Sequence, residues 1–149
     1  MYESHGAPPS IKDLLFSSGQ PDSSVAIIGV NGKEITYGQL RMFTRGAVGC
    51  LNSMGFKNSD RVAVALLNGP LLAQTLVAVS AGFGCAPLNP GYHAQEFVNL
   101  LTRLKAKALL VKRGMDCPAR DVARSMGIEV IDIEEPAQGE SFIFRGLGD

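Results

Sequence analysis

Residues 61–90, RVAVALLNGPLLAQTLVAVSAGFGCAPLNP, constrain the fold of this chain more than any other stretch. Arg61 to Leu67 is short, apolar and β-branched at intervals, which suits a strand covered on both faces in a parallel sheet. Asn68 stands where a helix start needs a side-chain oxygen for its free backbone N–H groups, and Pro70, in the first turn, lacks a donor that has no partner there anyway. Leu71, Leu72, Thr75, Leu76 and Val79 recur at helical spacing. Gly82 and Gly84 are then read as supplying the permissive φ that ends the helix and turns the chain. Cys85 to Leu88 follows as a second short strand, closed by Pro87 and Pro90. A strand, a crossover helix and a strand make a βαβ unit, and such units build parallel sheets.

The flanking sequence extends the pattern. After a loose lead-in over residues 1–9, Ser10 is placed to cap a short helix with Ile11, Leu14 and Leu15 on one face. Residues 24–30 (SVAIIGV) and 33–36 (KEIT) read as an antiparallel hairpin about Asn31-Gly32. Thr36 and Gln39 form a capping box. The helix they open carries Tyr37, Leu40, Phe43, Ala47, Val48, Leu51 and Met54 on one stripe, with Arg41, Arg45 and Asn52 on a solvated back, and Gly55 closes it. Asn89-Pro90-Gly91 turns into a helix with Phe97, Leu100, Leu101 and Leu104 inward. A strand over 108–111, with Lys105 and Lys107 snorkelling at its entry, and a helix from Met115 to Met126 follow. Residues 128–133 (IEVIDI) alternate apolar and acidic positions, as expected of a strand exposed on one side at a sheet edge. Ser141 to Phe144 is a further short strand, with Phe142, Ile143 and Phe144 lacking an obvious partner. The expected fold class is α/β: a layered, mostly parallel sheet with helices on both faces, preceded by an antiparallel hairpin.

Composition narrows the function classes. The formal net charge is zero, with 14 Lys and Arg against 14 Asp and Glu, so no basic excess points to nucleic acid or an anionic membrane. No apolar run reaches the length of a membrane span, and the opening MYESHGAPPS lacks the features of a signal peptide, so a cytoplasmic location is expected. Cys50, Cys85 and Cys117 are odd in number and widely spaced, which suits free thiols in a reducing compartment. His5 and His93 have no acidic neighbours at ligand spacing, so no metal site is expected.

Chemistry-bearing patterns are sparse. Gly82-Phe-Gly84 follows a helix and precedes a strand, the reverse of a dinucleotide fingerprint. Ser80 lacks the Gly-x-Ser-x-Gly elbow. Asp60 reads as a turn former beside Arg61, and Glu129, Asp132, Glu134 and Glu135 read as a solvated strand edge instead of paired catalytic carboxylates. Arg41 and Arg45 read as surface solvation, since nothing acidic or Gly-rich is paired with them.

The order of the boxes carries more. Ile-Thr-Tyr-Gly-Gln-Leu (35–40), Asp-Arg-Val-Ala-Val-Ala-Leu (60–66), Ala-Gly-Phe-Gly-Cys-Ala-Pro-Leu-Asn-Pro (81–90) and Ala-Lys-Ala-Leu-Leu-Val (106–111) resemble the amino-terminal signatures of the adenylate-forming superfamily: acyl-CoA synthetases, nonribosomal peptide adenylation domains and luciferases. The resemblance runs over residues 10–135, and the Asn-Pro ending of the third box looks more like acyl-CoA synthetases than amino-acid adenylation domains. It implies a ligase that joins a small carboxylic acid to the α-phosphate of ATP with Mg, then passes the acyl group to coenzyme A or to the phosphopantetheine of a carrier protein.

Two departures, Gln39 where Glu is commoner and His93 where Thr or Ser often caps, keep the capping chemistry. The resemblance also implies that residues 1–149 are an amino-terminal subdomain whose tail, 136–149, stops before the family's phosphate loop. Its catalytic, cofactor-binding and metal-binding residues are then expected in the remainder of the enzyme and none in this stretch, which by itself is expected to be inactive. A non-catalytic interaction or scaffold subunit derived from the same fold is the alternative. A flavodoxin-like nucleotide binder is disfavoured, because no strand end carries a phosphate-cradling loop.

Overall fold

The computed structural model describes residues 7–135 and 144–145. Its elements run α1 (Ile11–Ser17), β1 (Val25–Ile28), β2 (Glu34–Thr36), α2 (Tyr37–Ser53), β3 (Arg61–Ala65), α3 (Pro70–Ser80), β4 (Gly84–Pro87), α4 (Ala94–Leu104), β5 (Ala108–Lys112), α5 (Pro118–Ser125), β6 (Glu129–Ile133) and β7 (Phe144–Arg145). Strands β3 to β6 are mutually parallel in the order β4-β3-β5-β6, and β7 adds antiparallel to β6. β1 and β2 form a separate antiparallel pair. The α/β class expected from the sequence is the one observed. Among the described residues no helix is long and apolar enough to cross a membrane.

Alternation along β3 explains why the sheet is wound on both faces. Val62 and Val64 point into one apolar cluster with Leu110, Ile131 and Ile133 of neighbouring strands, covered by Phe43, Ala47 and Leu51 of α2 and Ala78 and Val79 of α3. Ala63 and Ala65 point into the other, where Phe97 and Leu101 of α4 and Val122 and Ala123 of α5 pack. The small alanines leave room for the ring of Phe97, which is fully buried. Burying each large side chain contributes about 1.5–3 kcal/mol, so these two layers dominate the stability of the sheet. A third, smaller cluster joins Leu15 of α1, Ile35 of β2 and Leu40 of α2.

Several local expectations are corrected. Asn68 does not cap α3: the N-cap is Gly69, at φ 154° and with no side-chain hydrogen bond, and Pro70 is the first helical residue. Gly82 and Gly84 are not needed for positive φ. A Cβ at Gly82 would stand 3.1 Å from a methyl of Val48, and one at Gly84 would stand 3.2 Å from Cγ of Arg61, so close approach of neighbouring elements is what these positions require. The hairpin closes through Gly29, whose N–H donates to Lys33 O at 2.8 Å, with Gly32 at φ 78°, so its loop is one residue longer than a bare Asn-Gly turn. The helix expected from Met115 starts at Pro118. Ile11 and Leu14, expected to face inward, stay exposed, and only Leu15 of that set is buried.

Two corrections bear on charge. β6 is not an edge strand, since β5 and β7 flank it, and Val130 and Ile131 enter opposite cores. Arg41 is not solvated: it is 8% exposed, for reasons given below. Residues 1–6 of the lead-in and residues 136–143 and 146–149 of the tail, Phe142 and Ile143 among them, lie outside the described residues.

Candidate functional site

The winding of the sheet sets where a site can form. From β3 the chain passes through α3 to β4 on one side, then returns through α4 to β5 on the other, so the strand order reverses between β3 and β5. Ligands of open parallel sheets bind beyond the carboxyl ends of the strands at such a reversal. Here that edge gathers residues 66–70 after β3, 88–91 after β4 and 112–115 after β5. The turn after β4 is held by its own groups: Asn89 Oδ1 accepts from Gly91 N–H at 2.9 Å, and Cys117 Sγ donates to Pro90 O at 3.4 Å. Glu96 then caps α4 by accepting from His93 N–H at 2.8 Å.

The charges at this edge are mutually engaged. Arg113 meets Glu134 at 2.7 Å, and Lys112 meets Glu135 at 3.6 Å. Glu135 also stands 3.8 Å from Lys33, which ties the hairpin to the sheet. Arg120 lies 2.7 Å from Asp132 Oδ1, a contact between charges that is not aligned as a hydrogen bond. Of the acids read from sequence as a solvated edge, Asp132, Glu134 and Glu135 are therefore ion-paired. Among the described residues no three His, Cys, Asp or Glu come together as ligands for a metal ion.

At the opposite edge, Asp60 accepts from Lys57 N–H at 2.8 Å and pairs with Lys107 Nζ at 2.9 Å. The Lys57 hydrogen bond, then Lys107, hold its carboxyl below the ordinary value of 3.8. This is a clamp between two strand entries, with Lys107 N–H donating to Arg61 O at 2.9 Å alongside. Lys107, read as a snorkelling side chain, is thus half of an ion pair. Burial pushes the thiols of Cys50 and Cys85 up, which lowers their thiolate fraction and their reactivity.

A concavity of about 660 Å³ lies away from the carboxyl ends of the strands, between α1, α2, the loop before β3 and the turn from α3 to β4. Phe16, Val48 and Gly82 line it with apolar surface, and Lys12 and Arg45 line it with charge. The guanidinium of Arg45 lies over the ring of Phe16, 4.7 Å from its centroid. Sequence reasoning put Arg45 and Asn52 on a solvated helix back, Val48 on the inward stripe and Gly82 in a turn, and did not join them. The signal that finds them is spacing: Lys12 and Phe16, and Arg45, Gly49 and Asn52, each share a helix face.

An open sheet wound on both faces, with its loops gathered beyond the carboxyl ends at a reversal of strand order, defines an α/β protein of the doubly wound kind. The chain belongs to the AMP-binding enzyme family, which matches residues 16–145. Among curated proteins it is similar to aldehyde reductase lnbA of Aspergillus flavus, 32% identical over 102 residues that make up 65% of this chain and 10% of that protein. Among solved structures, apo MatB from Rhodopseudomonas palustris superposes with a TM-score of 0.72 at 22% identity, over 83% of this chain and 25% of that one. A benzoate CoA ligase from Burkholderia xenovorans LB400 gives a TM-score of 0.72 at 20% identity, with the same coverage. These structural likenesses establish the fold. The chain spans a tenth of the curated relative and a quarter of the solved chains.

Proposed function

We propose that this chain is the amino-terminal subdomain of an ATP-dependent acyl-activating ligase, with residues 1–9 as lead-in and 136–149 as tail. The family match over residues 16–145 carries the reading. In the first half-reaction a carboxylate oxygen attacks the α-phosphorus of ATP. An acyl–oxygen–phosphorus bond forms, the bond from the α-phosphorus to its bridging oxygen breaks, and pyrophosphate leaves. A thiol then attacks the acyl carbon, losing its proton as the thioester forms and AMP departs.

ATP use is supported by the family and by a structure of MatB with ATP bound. Mg is expected alongside the phosphates, but the described acids do not offer it a ligand set. Glu134, Glu135, Asp132 and Asp60 are each engaged by a cation. The role of this subdomain is to hold the loops after β3, β4 and β5 rigidly at one edge, against which the remainder of the enzyme assembles its site. The likeness to a benzoate CoA ligase favours coenzyme A as acceptor and a small carboxylic acid as substrate. Phosphopantetheine on a carrier protein is the alternative acceptor that the family allows.

Sequencing the transcript beyond the codon for Asp149 tests the reading. Continuation into a Ser/Thr- and Gly-rich loop ending in Pro-Lys-Gly is expected. A stop codon there would instead favour a non-catalytic subunit that partners a separate catalytic chain.

A further inference from the structure

We propose that the groove between α1, α2 and the α3–β4 turn is a binding site for a small anion that carries an apolar body, independent of the acyl-activating reading. Its charge is one-sided. Lys12 and Arg45 line it, no acid does, and neither cation is within salt-bridge distance of an acid among the described residues, Asp13 acting on Lys12 only from farther off. Arg41, one turn before Arg45, is by contrast paired with Asp22. Two like charges lining an apolar concavity concentrate field there and attract an anion. The apolar lining offers the complementary surface, with the ring of Phe16 under the guanidinium of Arg45 and the methyls of Val48 against Gly82.

Gly49 is the independent observation. It lies inside α2, where glycine costs about 1 kcal/mol relative to alanine. Its φ is not positive, and a Cβ there would meet nothing within 4 Å, so neither backbone nor packing among the described residues requires it. The space a side chain would take is the groove itself, of which Gly49 forms part of the wall. Asn52, one turn on, and Asn58, from the loop before β3, add amides that make no side-chain hydrogen bond among the described residues. The volume, about 660 Å³, falls in the range of small-molecule pockets, which fits a compact ligand.

The test is nuclear magnetic resonance titration of the isotope-labelled 149-residue chain with 1-naphthyl phosphate, alongside 1-naphthol and inorganic phosphate. Saturable shifts confined to the amides of Lys12, Phe16, Val48, Gly49, Asn52 and Gly82 are expected, with affinity at least tenfold above either half of the probe. Gly49→Glu, which adds bulk and negative charge without a clash, is expected to weaken binding at least tenfold. If that variant does not fold, Lys12→Glu at an exposed position serves instead, with a fall of about fivefold. Non-saturating shifts, shifts centred on the strand ends, or unchanged affinity in the variant would overturn the proposal. So would binding of an acidic peptide in the groove where 1-naphthyl phosphate does not bind.

Discussion

The guanidinium of Arg41 donates through Nε to the carbonyl oxygen of Leu15, 3.0 Å away and twenty-six residues earlier in the chain. Nη1 reaches Asp22 Oδ1 at 2.6 Å, and the ring of Tyr37 lies 5.3 Å from the guanidinium carbon. One side chain thereby fastens the end of α1 and the loop after it to α2. Arg41→Ala removes the donor to the Leu15 carbonyl, while Asp22, whose side chain is 78% exposed, is left to water, so the cost is expected at about 1–3 kcal/mol in urea unfolding. Arg41→Lys is expected to recover less than half of that, because a single ammonium cannot reproduce the planar fork.

Gly82 and Val48 fix how closely α2 approaches the α3–β4 turn. A Cβ at Gly82 would lie 3.1 and 3.2 Å from the two Val48 methyls, so Gly82→Ala is expected to destabilise by about 1–3 kcal/mol through overpacking. Adding Val48→Ala removes those methyls. Chemical denaturation of both single variants and the double variant is expected to give a non-additive cycle, with the second substitution relieving the first.

Gly69 occupies a region of backbone space that residues with a Cβ rarely enter, at φ 154° and ψ −176°. Nothing lies within 4 Å of its would-be Cβ, so any cost of Gly69→Ala is backbone strain, expected at about 1–3 kcal/mol. Thermal melts against wild type check it.

Asp60 has its carboxyl pKa held below 3.8 by Lys57 N–H and Lys107. A folded-state pKa below the unfolded one favours folding at pH values above 3.8, and the stabilisation is lost as pH falls from there through the lowered value. Asp13, lowered mainly by its hydrogen bond from Ser10, acts with the same sign. Denaturation midpoints followed from neutral pH into acid are expected to fall less steeply in Asp60→Asn than in wild type, from a lower starting stability.

Much of the fold is legible because its signals are local. The Thr36 and Gln39 capping box acts over three residues, with Gln39 Oε1 accepting from Thr36 N–H at 2.9 Å and Thr36 Oγ1 from Gln39 N–H at 3.2 Å. The alternation of Val62, Ala63, Val64 and Ala65 between two cores is likewise written in consecutive positions. What escaped the sequence depends on residues that meet only after folding. Arg41 looks like any helix-surface arginine until Leu15 and Asp22 arrive beside it. Gly82 looks like a turn glycine until Val48 packs on it. The acidic alternation of residues 129–132 looks like a solvated edge until β7 pairs with β6 and Arg120 reaches Asp132. The groove is spread over Lys12, Arg45 and Gly82, which no sequence window joins.

Carboxylate-dependent exchange of labelled pyrophosphate into ATP tests the acyl-activating reading most directly, measured in parallel on the isolated 149-residue chain and on the full product of its reading frame. Background exchange from the isolated chain is expected, with exchange that requires both ATP and an added carboxylic acid from the full product. Robust exchange by the isolated chain, or none by a folded full product across aliphatic, aromatic and amino acids, would contradict it.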